Sequence, residues 1–298
     1  MKQIFAGLTL CLVATLSMSS WADIGVDITF DRNRYLKYEP INVTLALRND
    51  TGNFLEFGSG ERRQGTLFFN VRTGDGTMLP SMRDPSELLD DLQMPPGSTK
   101  RVTFAFNQFF SLQRQADYTI YGQIRHDRTA YDYRSPRRRI EVRKGQSVWE
   151  RSFGLPGQDD QAVIKTRTAI LLRFSERSRD IYCLQIEDED YVYMVHRVAR
   201  HIAGSRPRGE IDGMSNIHLF MRIESRIFMH QVYDPHGELK QERFYTFDQG
   251  PPSLYRDSRT GRVSIVGGRR AVRGRDYMLP EDVEGALLED GAPVLEPL

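Results

Sequence analysis

The chain has 298 residues and a formal net charge of +1, and 39% of its residues are hydrophobic. This hydrophobic share is enough for packed cores, and the length suits two domains better than one small sandwich. A nearly neutral protein has no long-range field to draw it onto nucleic acid or anionic lipid, so the composition argues against both of these partners.

The N-terminus has the pattern of a signal peptide over residues 1–22. Lys2 precedes an apolar run over residues 4–16, and small residues, Ser20 and Ala22, stand at the −3 and −1 positions of a cut after Ala22. The run is shorter than the roughly 20 residues that a membrane-spanning helix needs, which disfavours the alternative of an uncleaved anchor. We therefore expect a periplasmic or secreted protein with no transmembrane segment after cleavage.

Residues 23–144 show the two-residue period of half-buried strands. Apolar side chains alternate with polar ones around Ile28, Leu45 and Phe104, and runs of Gly, Pro, Asn and Asp separate these stretches. Strands and turns at this spacing predict an immunoglobulin-like β-sandwich, with a turn or two of helix over residues 85–92. Tyr118 opens a strand in the manner of a tyrosine corner, for which an ordinary strand tyrosine is the alternative.

Residues 145–161 break this periodicity and are predicted to be a linker. They contain several glycines, a proline and two successive aspartates, and their apolar pattern is weak. At the other end of the chain, residues 279–298 are rich in Asp and Glu, and we expect them to form a peripheral acidic tail.

The β domain predicted over residues 162–278 contains an internal repeat. Strands and acidic or Asp-containing turns recur in step, and four apolar positions match at one offset of 46 residues: Ile181 with Ile227, Ile186 with Val232, Ile217 with Val263, and Leu219 with Ile265. Four strands in such a length are typical of a β-propeller blade, so we predict a duplicated four-stranded, blade-like unit. Two units cannot close a propeller. They could stack as two sheets, or be completed by residues 162–175 or by a second chain.

The sequence assigns no catalytic, cofactor-binding or metal-binding residues. It has no Gly-x-Ser-x-Gly, Walker loop, His-Glu-x-x-His or Cys-x-x-Cys motif. Cys183 is the one cysteine left after cleavage, so no internal disulfide is expected. A catalytic cysteine sits at a helix start or in an electropositive cleft, whereas Cys183 lies between apolar strand residues, which favours burial. We expect a non-catalytic protein without cofactors.

Histidines and acidic turns suggest metal sites, but neither group meets the requirements of one. His218 and His230 flank a tight connection and could face each other across a hairpin, although a two-residue turn would put them on opposite faces. Two histidines fall short of the three or four ligands of a zinc site. The turns at residues 187–190 and 234–237 lack the spacing of a calcium loop. Strand histidines and solvated hairpin turns are expected.

Two basic clusters occur, at residues 134–139 and 269–275. Solvated strand edges that resist aggregation are the favoured interpretation, and a contact for an anionic glycan or an acidic protein face is the alternative. Export argues against nucleic acid as a ligand. The expected partners are therefore an envelope protein or a polysaccharide, and the sequence leaves the oligomeric state open.

Two segments carry a resemblance to known proteins. The stretch YEPINVTL at residues 38–45, followed by LRN, resembles the immunoglobulin-like domains of bacterial exported proteins. The strand at residues 217–220, the turn at residues 234–237 and the closing strand with its Gly-Gly pair at residues 263–268 resemble a set of uncharacterised bacterial secreted proteins with β-propeller-like repeats. These resemblances imply architecture and carry no catalytic residues.

Two classes of function remain open on the sequence alone. The favoured one is an exported, non-catalytic binding or scaffolding protein of the cell envelope. The alternative is a secreted hydrolase acting on glycans or peptides, with Asp212 and Asp257 at equivalent places in the repeats. Glycoside hydrolysis would need two such carboxylates roughly 5 to 9.5 Å apart in one cleft.

Overall fold

The computed structural model describes residues 24–129, 131–155, 165–177 and 179–278. Within these ranges the chain is all-β, as predicted, and its helical segments are short 3-10 turns. No helix in the described ranges is long and apolar enough to cross a bilayer. Three predicted segments lie outside the described residues: the signal peptide at residues 1–22, the end of the linker at residues 156–161, and the acidic tail at residues 279–298.

The first half is a β-sandwich of two facing sheets. One sheet has the strand order β1-β3-β7 and the other the order β2-β10-β8-β5, with β9 added to β8, while β4 and β6 form a separate ribbon. The strands are β1 (Ile24–Phe30), β2 (Arg34–Leu36), β3 (Asn42–Asn49), β4 (Leu55–Glu56), β5 (Gly65–Thr73), β6 (Gln93–Met94), β7 (Thr99–Ala105), β8 (Ala116–His126), β9 (Tyr133–Arg134) and β10 (Arg138–Arg143).

The alternation seen in the sequence builds the core of this sandwich. Ile28 and Leu45 from one sheet and Ile120 from the other belong to the same buried cluster. The tyrosine corner is confirmed, because the hydroxyl of buried Tyr118 donates a hydrogen bond of 2.7 Å to the carbonyl of Arg114 in the preceding connection. The predicted helical segment is a 3-10 turn over Pro85–Leu89.

The second half contains eleven described strands. They are β11 (Gln146–Gly154), β12 (Thr166–Ser175), β13 (Asp180–Glu187), β14 (Val192–Arg200), β15 (Arg208–Ile211), β16 (Ile217–Arg222), β17 (Phe228–Tyr233), β18 (Leu239–Thr246), β19 (Ser253–Arg256), β20 (Val263–Val266) and β21 (Arg269–Arg270). Consecutive strands form two antiparallel sheets, β11-β12-β13-β14 and β15-β16-β17-β18, and β19 pairs with β20. Finally, β21 returns to pair with β18.

The repeat is present, but its units begin at a different strand from the predicted one. The 46-residue offset relates β13 to β17, β14 to β18 and β16 to β20. However, the break between sheets falls between β14 and β15, so the predicted unit crosses from one sheet into the next. Residues 162–175 supply β12 and complete the first sheet, which was one of the alternatives. The third unit has two described strands, β19 and β20.

The segment predicted as a linker, residues 145–161, differs from the structure over its first part. Strand β11 occupies Gln146–Gly154 and pairs with β12 along its length. Of its side chains only Phe153 is buried, and most others are exposed. An exposed edge strand lacks the apolar alternation on which a strand prediction depends, which explains the error.

The first sheet of the second half packs on both faces. One face shares a core with the second sheet, where Leu184 and Leu219 belong to one buried cluster. The other face packs against Leu36 from the sandwich. At this joint the buried carboxylate of Glu39 accepts hydrogen bonds from Arg197 of β14, from Arg32 at 2.8 Å and from the backbone of Leu36 at 2.9 Å.

Candidate functional site

A cleft of about 370 Å³ opens beside the second sheet, where the chain leads into the third unit. This volume lies within the range of ordinary ligand pockets, roughly 300–1,000 Å³. One side is formed by strands β15 to β17 and the loop before them, and the other by residues around β19. The lining consists of Gly204, Ser205, Arg206, Arg208, Phe220, Met221, Arg222, Ser225, Phe228, Phe247, Pro251, Pro252 and Ser253.

Aromatic rings form the floor of the cleft. Phe220 of β16 and Phe228 of β17 lie diagonally across the hairpin on one face of the sheet, and their rings stack with centroids 5.4 Å apart. Phe247, just after β18, lies edge-on to Phe228 at 6.0 Å. Phe220 is buried, whereas Phe228 and Phe247 are half-buried, so the cleft offers aromatic surface to a ligand.

Three arginines surround this floor. Arg206 and Arg208 are exposed, and no described side chain pairs with either of them. Arg222 donates one hydrogen bond of 3.1 Å to the carbonyl of Ala203, while its buried Nε atom has no partner among the described residues. The described lining contains no carboxylate to balance these charges. A guanidinium presents a planar fork of donors that matches carboxylate, sulfate or phosphate oxygens, so the cleft favours an anion.

A close backbone contact fixes the strand that carries Arg208. The next residue, Gly209, lies against the indole of Trp149 in β11, and a Cβ atom there would come within 2.4 Å of the ring. Glycine at this position lets β15 approach the first sheet closely. Trp149 therefore lies directly behind the arginine side of the cleft and can report on it.

Beside the aromatic floor, on the same face of the sheet, three polar groups are linked by hydrogen bonds. His218 contacts the carboxylate of Asp212 at 3.2 Å through Nε2 and His230 at 3.1 Å through Nδ1. The two histidines are diagonal neighbours on one face, because His218 pairs with Val232 and His230 with Phe220. The Nδ1 atom of His230 is buried without a described partner. Burial, helped by the positive charges of neighbouring groups, lowers the pKa of His230 to about 4.

The Asp212–His218–His230 network does not have the arrangement of a metal site. Among the described residues no group of three or more His, Cys, Asp or Glu side chains is placed to hold a metal ion. His218 uses both ring nitrogens within this network, so it has no free lone pair to offer a cation.

The two carboxylates of the hydrolase alternative hold turns. Asp212 accepts hydrogen bonds from the backbone of Met214 and Asn216, both at 2.8 Å. Asp257 accepts them from Arg259 at 2.8 Å and Thr260 at 3.1 Å. These two turns touch, since the backbone of Gly213 donates to the carbonyl of Gly261 at 3.1 Å. Both carboxylates therefore act as turn acceptors, outside the lining of the cleft.

Cys183 and the two predicted basic clusters lie outside the lining of the cleft. The thiol is buried, which raises the pKa of Cys183 to about 12 and keeps it protonated. In the first cluster Arg138 pairs with Asp27, and Arg139 pairs with Asp117. In the second, Arg269 forms a two-pronged contact with Asp276 at 2.7 and 2.8 Å.

The cleft arginines escaped the sequence analysis because they are dispersed along the chain. Arg206 and Arg208 precede and begin β15, and Arg222 ends β16, so only strand pairing unites them. A signal was nevertheless present in Arg206-Pro207-Arg208, two arginines with no acidic residue between Asp190 and Glu210.

No protein-family model matches the chain, and no curated protein shows significant similarity to it. The function therefore has to be inferred from the chemistry of the cleft itself.

Proposed function

We propose that the chain is an exported, non-catalytic binding protein of the cell envelope that holds an anionic ligand in the cleft between β15–β17 and β19. One observation carries the proposal: Arg206, Arg208 and Arg222 surround an aromatic floor, and no carboxylate occurs in the described lining. The predicted signal peptide supports the location.

The charge arrangement is unfavourable for the empty protein and favourable for a complex. Like charges gathered at one partly enclosed site repel one another, and a bound anion turns this repulsion into attraction. Each hydrogen bond between a guanidinium and an ionised acceptor contributes roughly 1.5–3 kcal/mol. Two or three such bonds, together with contact to Phe228 and Phe247, are sufficient for specific recognition.

The lining favours recognition over catalysis. Its described polar groups are arginines and the hydroxyls of Ser205, Ser225 and Ser253, with no carboxylate, imidazole or thiol among them. General acid–base catalysis needs a group that exchanges a proton near neutral pH, and an arginine does not do so. The nearby imidazoles of His218 and His230 are buried beside Phe220, outside the lining.

Binding of small anions tests the proposal. A chain beginning at Asp23 has Trp149 as its single tryptophan, so ligand binding can be followed by fluorescence and confirmed by calorimetry. The probes are trigalacturonate, tripolyphosphate and an acidic tripeptide, with methyl-esterified trigalacturonate as the uncharged match. We expect saturable binding of at least one anion and none of the ester.

Paired variants tie this binding to the cleft. Replacing both Arg206 and Arg208 by alanine should weaken binding about tenfold or more, equivalent to about 1.4 kcal/mol. Arg151→Ala is the matched control, because Arg151 is an exposed strand arginine outside the cleft with no described partner. If no anion binds, or if the double variant binds as well as the control, the proposal is wrong.

A further inference from the structure

We infer that the anion is one unit of a long acidic polysaccharide, whose chain leaves the cleft and follows a belt of arginines to the joint between the two halves. This inference rests on the proposed function and identifies the ligand. The belt is defined as the surface of four successive depressions, of which the cleft is the first.

The four depressions adjoin one another in succession. The second, of about 480 Å³, includes Ala203, the neighbour of Gly204 in the cleft, and Arg222 of the cleft bonds to the Ala203 carbonyl. The third, of about 310 Å³, shares Glu176, Arg177 and Arg179 with the second.

The fourth depression extends the belt onto the sandwich. It has a volume of about 380 Å³ and shares Arg32 and Asn33 with the third. A ligand lying along the belt would therefore cross from the second half, past the joint at Glu39, to the first half.

The belt is strongly enriched in arginine. Its described lining holds two carboxylates, Glu176 and Asp180. Against these stand ten arginines: Arg32, Arg34, Arg138, Arg139, Arg177, Arg179, Arg200, Arg206, Arg208 and Arg222.

The positive charge of the belt is greatest near the cleft. At the far end Arg138 and Arg139 are paired with Asp27 and Asp117. Along the middle, Arg32 pairs with Glu39, Arg34 and Arg177 with Glu141, and Arg179 with Glu176. Each guanidinium has five N–H donors, so these paired arginines keep some donors free. Towards the cleft the described structure provides no side-chain partner for Arg200, as for Arg206 and Arg208. The strongest contacts are thus expected in and beside the cleft, and weaker ones along the rest of the belt.

A linear polymer fits this surface better than a single small anion does. Four depressions of similar size in a row match a chain of similar units, and each charged unit adds an ionic contact without a new loss of translational freedom. The predicted export favours an extracellular acidic polysaccharide over a nucleic acid, and the half-buried phenylalanines of the first depression offer a flat surface for a sugar ring.

The dependence of affinity on ligand length tests the belt separately from the cleft. Dodecagalacturonate should bind the wild-type chain at least about tenfold more tightly than trigalacturonate. Its affinity should also fall more steeply with added salt, because a longer ligand makes more screened ionic contacts.

A belt variant should remove this gain and leave the cleft intact. In Arg177→Ala/Arg200→Ala we expect the affinity for trigalacturonate to be retained and the gain with length to be lost. Arg101→Ala, at an exposed arginine of β7 outside the four depressions, is the control and should retain the gain. Circular dichroism and thermal unfolding are the checks that each variant is folded.

Each outcome points to one conclusion. Equal affinity for the two lengths, with trigalacturonate still bound, overturns the belt and leaves the anionic cleft standing. Loss of trigalacturonate binding in the wild-type chain overturns the carboxylated sugar as ligand; whether the cleft binds any anion is then decided by tripolyphosphate and the acidic peptide. If a single-stranded oligonucleotide of equal charge binds more tightly than dodecagalacturonate, the polysaccharide assignment is wrong.

Discussion

Arginines gather on a surface in both halves of the molecule, but their surroundings differ. In the sandwich, the cluster at residues 134–139 faces acidic neighbours, so that Arg138 lies 2.8 Å from Asp27 and Arg137 covers the ring of Tyr121. In the second half, Arg206 and Arg208 face phenylalanines and have no described carboxylate partner. A run of basic residues in the sequence is thus partly neutralised in the fold, whereas arginines dispersed along the sequence come together at the proposed binding cleft.

Ion pairs also differ in how far they are buried, and the largest expected effect on stability is at the joint between the two halves. Glu39→Ala should lower the free energy of unfolding by about 3–5 kcal/mol, because Arg197 and Arg32 lose a buried counter-charge. The measurement is urea denaturation of the chain beginning at Asp23.

Glu141→Ala is the control for this change. Glu141, whose side chain is 25% exposed, contacts Arg34 at 3.6 Å, Arg143 at 3.5 Å and Arg177 at 3.8 Å, so its loss should cost about 1 kcal/mol or less. If the two variants lost equal stability, burial would not distinguish the two kinds of ion pair.

Buried histidines sharpen the contrast between the halves. In the sandwich, His126 has both ring nitrogens hydrogen-bonded, to the carbonyl of Glu56 at 3.0 Å and the backbone of Arg128 at 3.1 Å. In the second half, His230 keeps one nitrogen unpaired in a buried setting.

This difference predicts a pH dependence of stability. The unfolded chain protonates His230 with a pKa near 6.5, whereas the folded chain does so only near a pKa of about 4, so acid favours the unfolded state. Between about pH 7 and pH 5 this residue should cost about 2 kcal/mol of unfolding free energy. His230→Leu should show a correspondingly smaller fall in urea denaturation at both pH values. An equal fall in variant and wild type would show that other groups cause it.

The smallest of the three effects concerns the tyrosine corner, for which the second half has no described counterpart. Tyr118→Phe removes the hydrogen bond to the Arg114 carbonyl and should cost about 1 kcal/mol of unfolding free energy. Tyr121→Phe in the same strand is the matched control, since the Tyr121 hydroxyl has no hydrogen-bond partner among the described residues and its ring contact with Arg137 survives the change. A control that loses as much as Tyr118→Phe would contradict this role.

The sequence carried enough information for local structure and for the repeat. Alternation around Ile28 and Leu45 predicted strands that do pack in one core, and the offset linking Ile186 to Val232 reflects the equivalence of β13 and β17. Alternation depends on neighbouring residues in the chain, and the offset depends on two copies of one segment. Both patterns can be recognised in the sequence without knowing the fold.

What could not be predicted depends on contacts between strands. Strand β11 exposes most of its side chains, so its sequence lacks the apolar alternation of a strand, and only its pairing with β12 identifies it as one. The cleft unites Arg206 from the loop before β15, Phe228 from β17 and Pro252 from the connection before β19. Similarly, His218 and His230 share a face because His218 pairs with Val232. Predicting this register required the length of the hairpin turn, since a shift of one residue would have put the two histidines on opposite faces.

The last short strand, β21, anchors one wall of the cleft. Thr246 at the end of β18 pairs with Arg269, so the chain between them, with Pro252 and the hairpin β19–β20, is a closed loop anchored at both ends. Such a wall is tied to the second sheet at both ends by strand pairing. Association then requires little rearrangement of the backbone, and differences in affinity among ligands should be expressed mainly in how slowly each one dissociates.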